Sequence, residues 1–321
     1  MKNTALTLVV LAAVAIFGTG CADKDDTLSI GITKIVAHPA LDALEQGVME
    51  VVQQRYPEAV FDNQNANGEM STASTIAQKF KSDGVDLAVG IATPTAVALA
   101  NAIDDIPVIF CAVTDPVDAG LVPSLEQSAG NITGVSDMTP VRDQVALLSS
   151  LTDIRALGHV YTSGEANAVR LAELTEEACA ELGIEFVPTT VANSAEVKQA
   201  AQSIAGRVDA FYVSTDNTVV SALAALTDVA ADAGIPVLSA DPSSAAENGV
   251  FLAWGFDYYK MGLATGELVV EILEGADPAT IPTRFMTSVD DIDLFVNLQV
   301  ASELGIDVPE DLVSKAATVV R

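Results

Sequence analysis

Six short loops carry most of the residues able to bind a polar group: TKIVAH (33–38), ATPT (92–95) and TDP (114–116), then TSGEAN (162–167), STDN (214–217) and ADP (240–242). Thr93 and Thr95, and likewise Asp216, Asn217 and Thr218, stand where a helix begins. Hydroxyls beside free helix-terminal N–H groups suit a carboxylate. Asp115, Glu165, Asp216 and Asp241 are the candidate partners for an ammonium. The same residue types also cap helices and make Asx-turns, and each position reads as well that way.

Catalytic chemistry finds less support. The chain has two histidines, His38 and His159, in different halves. His38 is a candidate for lining a cleft, whereas His159 lies in an apolar strand and reads as core. No His/Cys cluster has metal-ligand spacing, so no metal is expected. There is no phosphate-binding glycine loop and no nucleophile elbow, and no cofactor is expected. Paired carboxylates suit glycoside chemistry, yet 44 acidic residues make such pairs unspecific. With 15 Lys plus Arg and a net charge of −29, nucleic-acid binding is excluded. The acidity is spread along the chain and reads as a solvated surface, such as a saline environment favours.

These loops must be held by strands and helices, and the sequence alternates the two. Apolar strand patterns at 28–33, 59–66, 85–91 and 106–113 are separated by helical patterns at 39–56, 71–82 (with Ser71 as its cap) and 94–103. The series restarts with strands at 156–162, 184–192, 208–214 and 235–240 and helices at 167–183, 194–206 and 218–234. Alternation of this kind predicts α/β architecture with parallel sheets. The halves also match each other. Val85-Asp86 recurs as Val208-Asp209, Thr95 as Thr218, Ile106-Pro107-Val108 as Ile235-Pro236-Val237, and Asp115-Pro116 as Asp241-Pro242, in the same order. Two similar doubly wound lobes are therefore expected. Ligands bind at the carboxyl ends of parallel strands, and all six loops follow strands. Facing lobes would bring them to one cleft.

The N-terminus reads as an export signal. Lys2 precedes the apolar run 5–17, too short for a comfortable membrane span, and Gly18-Thr19-Gly20-Cys21 resembles a lipidation site. Residues 1–21 are expected to be a lipoprotein signal peptide with Cys21 as the lipid anchor, and 22–27 a tether. Cys111 and Cys179 are distant and read as core fillers.

Together AHPALDALEQG, ATPTAVALA, IPVIFCAVTDPVDAGLV, NITGVSDMTPV, YTSGEANA, VDAFYVSTDNTVVSAL and GFDYYKMG resemble the ABC-transporter substrate-binding lipoproteins of the tryptophan/tyrosine-associated type, over about 28–283. The resemblance implies a periplasmic-binding-protein-like type I fold, with a hinge and an interlobe cleft, and a non-catalytic, exported, membrane-anchored protein on the periplasmic or extracellular face. It implies delivery of an amino acid, aromatic by preference, to an ABC permease, and a monomer is expected. It places the ligand at Thr93, Thr95, Asp115, Ser163, Glu165, Asn167, Asp216 and Asn217, with Asp241 where relatives often have Asp-Thr rather than Asp-Pro. On this reading Asp115 and Asp216 face each other and hold the ammonium, Asp216 lies on a loop outside either core, and Trp254 lines the cleft or packs under a crossing. Crossings are expected at 134–140, 254–259 and near 281–286. They divide the chain into lobe one (28–135 plus 256–282) and lobe two (136–255 plus 283–321). The alternatives are an exported sensor, a binding protein for another small zwitterionic or polar solute, or an exported hydrolase. Cys21→Ser is expected to release the protein from membranes; a chain that stays membrane-bound with an unmodified N-terminus would contradict the lipid anchor.

Overall fold

The computed structural model describes residues 27–246 and 248–321. The signal segment 1–21, with Cys21, and residues 22–26 lie outside the described residues. The chain opens with β1 (Ser29–Lys34), α1 (Pro39–Arg55), β2 (Val60–Asn65), α2 (Met70–Asp83), β3 (Leu87–Ile91), α3 (Thr93–Ala102), β4 (Val108–Cys111) and β5 (Ile132–Ser136). A second series follows: α4 (Val141–Leu151), β6 (Ala156–Thr162), α5 (Ala166–Leu182), β7 (Glu185–Val191), α6 (Val197–Ala205), β8 (Ala210–Val213), α7 (Asn217–Val220), α8 (Leu223–Ala233), β9 (Val237–Ser239), α9 (Pro242–Ala245) and β10 (Leu252–Phe256). The chain then returns through α10 (Tyr258–Leu273) and β11 (Arg284–Phe285), and ends in β12 (Ile292–Asn297), α11 (Leu298–Leu304), α12 (Glu310–Lys315) and β13 (Thr318–Val320).

The two sheets repeat one topology. The first runs β11-β5-β4-β3-β1-β2 and the second β13-β12-β10-β9-β8-β6-β7. Within each, the first five strands of the series lie in the order second-first-third-fourth-fifth, so each has a switch point between its first and third strands. All pairings are parallel except β10 with β12. Strands β3, β4, β5, β8 and β9 are buried at every residue. That is why they read as continuous apolar runs rather than as alternating ones. Each buried Val, Leu, Ile or Phe contributes about 1.5–3 kcal/mol.

The repeated Val-Asp is a structural device and not a binding one. Asp86 accepts the N–H of Ser29 at 2.8 Å, at the start of β1. Asp209 does the same at the start of β6, accepting from Arg155 at 2.8 Å and Ala156 at 3.0 Å. Both lie at the amino ends of the strands, away from the cleft. The repeated Asp-Pro also has one role twice. Asp115 accepts the N–H groups of Val117 and Asp118, and Asp241 those of Ser243 and Ser244.

Three sequence expectations shift. Helix α2 begins one residue before Ser71, with Glu69 at the cap position and no side-chain cap. The helix expected over 218–234 is two, broken at Ser221-Ala222, where Ala222 leaves helical backbone (φ −119°, ψ 23°). The chain crosses between the sheets at 137–140, at Asp257 and between β11 and β12. Ser136 and β11 therefore belong to the first sheet and Phe256 to the second, because backbone pairing holds each strand to its end: Phe285 pairs with Ser136, and Phe256 with Ile292.

Both strands leading into the first two crossings carry a glycine pressed against its neighbour. A Cβ on Gly134 would stand 2.0 Å from the carbonyl oxygen of Phe110, and one on Gly255 1.9 Å from that of Ala240. Gly134→Ala and Gly255→Ala are expected to destabilise the protein by about 1–3 kcal/mol each through overpacking. Gly206→Ala, where nothing lies within 4 Å, is expected to leave the thermal midpoint unchanged. Equal midpoints for all three variants would refute the close approach.

Candidate functional site

The carboxyl ends of the two sheets face each other across a narrow cavity lined from both lobes. Both switch points open onto it. From the first lobe come His38, after β1, and Ala92, after β3; from the second come Asn167, Asp216 and Asn217. Asp241 follows β9, and Asp137 and Tyr258 come from the first two crossings. Leu41, Ala112 and Val220 supply apolar wall.

The polar groups are unequally satisfied. Asp216 is fully buried and committed to its own lobe. Its carboxylate accepts from Thr162 N at 2.6 Å, Thr162 Oγ1 at 2.8 Å and Val219 N at 3.0 Å. Burial, and then the neighbouring Glu165, push its pKa well above the usual carboxylate range. Asp241 likewise caps α9 and accepts the hydroxyl of Ser244 at 2.5 Å. Asp137 accepts only from the hydroxyls of Thr114 at 3.1 Å and Tyr258 at 3.3 Å. Burial lifts its pKa to about 6, against the lowering effect of those two hydrogen bonds. Among the described residues no lysine or arginine lines the cavity.

Other groups have no partner at all. Among the described residues, eight buried side-chain N or O atoms lack a hydrogen bond, and five of them belong to His38 (both ring nitrogens), Thr93, Asn167 and Thr215. Such groups are uncommon in folded proteins, and each calls for an explanation. Here four of the five atoms line the cavity, and the fifth, on Thr93, follows cavity-lining Ala92 directly. His38 Nδ1 stands 4.0 Å from Asp241 Oδ2 on the opposite lobe, outside hydrogen-bond range. Burial lowers the His38 pKa, Asp241 working against it, so the ring favours its neutral form.

Helix α3 points an open end at the same space. Its N-cap is Ala92, held at φ 73°, with no side-chain cap. Ala112, after β4, is also left-handed at φ 56°. Non-glycine residues in this region cost about 1–3 kcal/mol and collect at functional sites. By contrast, α7 and α9 are closed by their own aspartates. The uncapped first turn of α3 is thus the positive helix end facing the cavity.

Five sequence candidates stand at the cavity: His38, Asn167, Asp216, Asn217 and Asp241. Thr93 adjoins it, buried, while Thr95 is turned inward and donates to Ile91 O at 2.5 Å. Glu165 is buried behind the wall, accepting from Asn217 Nδ2 at 2.6 Å and Thr218 Oγ1 at 2.7 Å. Ser163 is exposed on its loop. Asp115 is outside the lining, paired with Arg170 at 3.5 Å, and so does not face Asp216. Trp254 is also outside. It pairs with Leu294 on β12, and strand alternation turns it into a separate groove with Leu147, Ile292 and Leu312. Sequence reading missed Thr114, Asp137, Thr215 and Tyr258. Asp137 and Tyr258 sat in stretches read only as crossings, yet crossings form the floor of any two-lobed cleft. Among the described residues no group of three His, Cys, Asp or Glu side chains is placed to hold a metal ion, and no helix is long and apolar enough to cross a membrane.

The sequence pattern of the family described as "ABC transporter substrate binding protein" matches residues 29–320. A tyrosine-binding protein of Clostridioides difficile is 36% identical over 280 residues, covering 86% of this chain and 80% of that protein. Among solved structures, an ABC domain from Streptococcus pneumoniae in complex with L-Trp superposes with a TM-score of 0.87 at 31% identity, covering 92% of this chain and 100% of that one. A ligand-free, open substrate binding protein with adhesive properties from Clostridium difficile gives a TM-score of 0.68 at 34% identity, covering 92% and 99%. The superposition is thus closer on the structure with L-Trp than on the ligand-free, open one.

Asp216 is part of the scaffold, not a loop residue outside the core. Asp216→Ala leaves the Thr162 N–H and hydroxyl and the Val219 N–H buried without their acceptor. A loss of about 2 kcal/mol or more is expected in denaturant unfolding. Asp216→Asn, which keeps an acceptor and removes a desolvated charge, is expected to lose less. Wild-type stability in Asp216→Ala would return the residue to a purely ligand-facing role.

Proposed function

The chain belongs to the ABC transporter substrate binding protein family, and we propose that its interlobe cavity holds an amino acid, with an aromatic one preferred. It is the extracytoplasmic, substrate-binding component of an ABC transporter. The observation that carries the ligand class is the gathering of unpartnered polar atoms around one cavity whose acids have no cation. A zwitterion completes both deficits. Its carboxylate suits the uncapped end of α3 and the Thr93 hydroxyl. Its ammonium suits Asp137, the acid with the fewest partners of its own. His38, Asn167 and Thr215 are free to take the remaining hydrogen bonds. Aromatic preference is supported by the tyrosine-binding relative and the L-Trp complex, and by the apolar wall of Leu41, Val220 and Tyr258. The role is non-catalytic: the polar residues are spent on capping and binding. A monomer lipidated at Cys21 and handing its ligand to an ABC permease completes the proposal.

Calorimetric titration with L-Tyr, L-Trp, L-Phe, L-Leu and a sugar panel tests the ligand class. Aromatic amino acids are expected to bind tightest; binding only a neutral sugar would overturn the reading. A charge-assisted hydrogen bond contributes roughly 1.5–3 kcal/mol, so Asp137→Asn is expected to weaken amino-acid binding about tenfold to a hundredfold. The pH dependence follows from the raised Asp137 pKa. Below about 6 the free protein holds this carboxyl protonated, and an ammonium must displace that proton. Affinity is therefore expected to fall as pH drops through about 6 in the wild type, and to fall less in Asp137→Asn. The stability sign is opposite. A folded-state pKa above the unfolded value gives stability present at low pH and lost as pH rises through about 6. Ligand-free Asp137→Asn is thus expected to gain stability relative to wild type between acid and neutral pH.

A further inference from the structure

Arg170 does not line the cavity. It sits on α5, in the second lobe, and its Nε stands 3.5 Å from Asp115 Oδ2, on the loop after β4 in the first lobe. Among the described residues, every other lysine or arginine ion pair joins groups within one lobe or beside a crossing. Apart from the 4.0 Å approach of His38 to Asp241 inside the cavity, it is the ion pair among the described residues that joins the two lobes.

The pair is prepared on both sides. Asp115 Oδ1 accepts the N–H groups of Val117 and Asp118 at 3.2 and 3.0 Å, which fixes the carboxylate and leaves Oδ2 for Arg170. Arg170 is held from its own helix by Glu173 at 3.2 Å. Both partners are partly shielded, at 30% and 22% exposure. The duplicate of Asp115 in the second lobe, Asp241, makes the same backbone turn, but its second oxygen accepts from Ser244 inside its own lobe. The inherited cap has thus been put to a second use in one lobe only.

We infer that Asp115 and Arg170 form an electrostatic latch that favours the closed lobes and slows ligand release without touching the ligand. The inference rests on reading the cavity as the ligand site. In the open form the two charges separate and each returns to water. The pair therefore contributes only to the closed state, and apparent affinity scales with the closed fraction. Its strength is that of a partly exposed ion pair, so an effect of about twofold to fivefold is expected, and it must weaken with salt. Arg170 is a positioning residue: it acts on the ligand through the lobes.

The test is a double-mutant cycle with L-Tyr and L-Trp as probes in the full chain. Arg170→Gln and Asp115→Asn, which keeps the backbone cap, are each expected to raise Kd and the off-rate about twofold to fivefold at low salt. The double variant should be no weaker than either alone. High salt should remove the difference from wild type. Arg170→Lys should restore part of the affinity, and Arg142→Gln, whose ion pairs stay within the second lobe, should change nothing. A second measurement does not need the ligand. Spin labels at Ser82→Cys and Ser203→Cys, exposed on opposite lobes, with Cys21→Ser, report the closed fraction of the free protein. Arg170→Gln should lower that fraction at low salt only. If neither amino acid binds but the closed fraction still depends on the pair, the latch stands and the ligand reading falls. If amino acids bind and Arg170→Gln changes neither affinity nor closed fraction, or if the single variants are additive, the latch is overturned.

Discussion

Three buried aspartates face a cavity that, among the described residues, no lysine or arginine lines. Removing a carboxylate from water is costly unless hydrogen bonds or a cation replace the lost hydration. The surroundings of the site follow from how each acid meets that cost. Asp216 is answered by Thr162 and the first turn of α7, and Asp241 by the first turn of α9. Those two fix the ends of helices and so shape the second lobe's wall. Asp137, at a crossing where no helix begins, has only two hydroxyls. It is the acid for which an outside cation does most, and its place on the cleft floor couples that need to the spacing of the lobes.

Duplication explains why the site is both symmetric in plan and asymmetric in chemistry. Each half builds the same sheet order, the same strand-anchoring Val-Asp and the same Asp-Pro cap. The differences lie where the halves meet. The helix after β3 starts from Ala92 without a cap, whereas the helix after β8 starts from Asp216 with one. One lobe therefore offers an open positive helix end and the other a set of filled acceptors. The proposed zwitterion would use this polarity, and two identical lobes would not supply it.

The separate groove around Trp254 shows how closely position on a strand governs role. Trp254 adjoins a crossing in sequence, as Asp137 and Tyr258 do. Those two follow the ends of their strands and drop into the cavity. Trp254 is still within β10, and the pleat directs it to β12 and α4. Its carbonyl nevertheless accepts from Gln144 Nε2 at 2.6 Å, and the Tyr212 hydroxyl donates to Oε1 of the same Gln144 at 2.6 Å. The second crossing is thereby tied to the second lobe's core.

Much of this was legible in the residues alone. Buried parallel strands must be apolar throughout, and helices must begin with polar caps, so the alternation, the duplication and the six cleft loops could be read in order. His38, Asn167, Asp216, Asn217 and Asp241 stand at the cavity because loops at the carboxyl ends of the strands converge there. The sequence could not divide those loops into walls and ligand contacts. Capping and binding use the same oxygens, and only distances show that Asp216 and Glu165 are already engaged while His38 and Thr215 are not. Nor could it assign Asp115, whose partner Arg170 lies 55 residues away on the other lobe. Asp137 and Tyr258 acquired their role when two crossings, 121 residues apart, came together under the cleft. Local pattern determined the elements and their order, because propensity and burial act within a few residues. The choice of which polar group remains free was made by packing between the lobes, and no single stretch of sequence contains it.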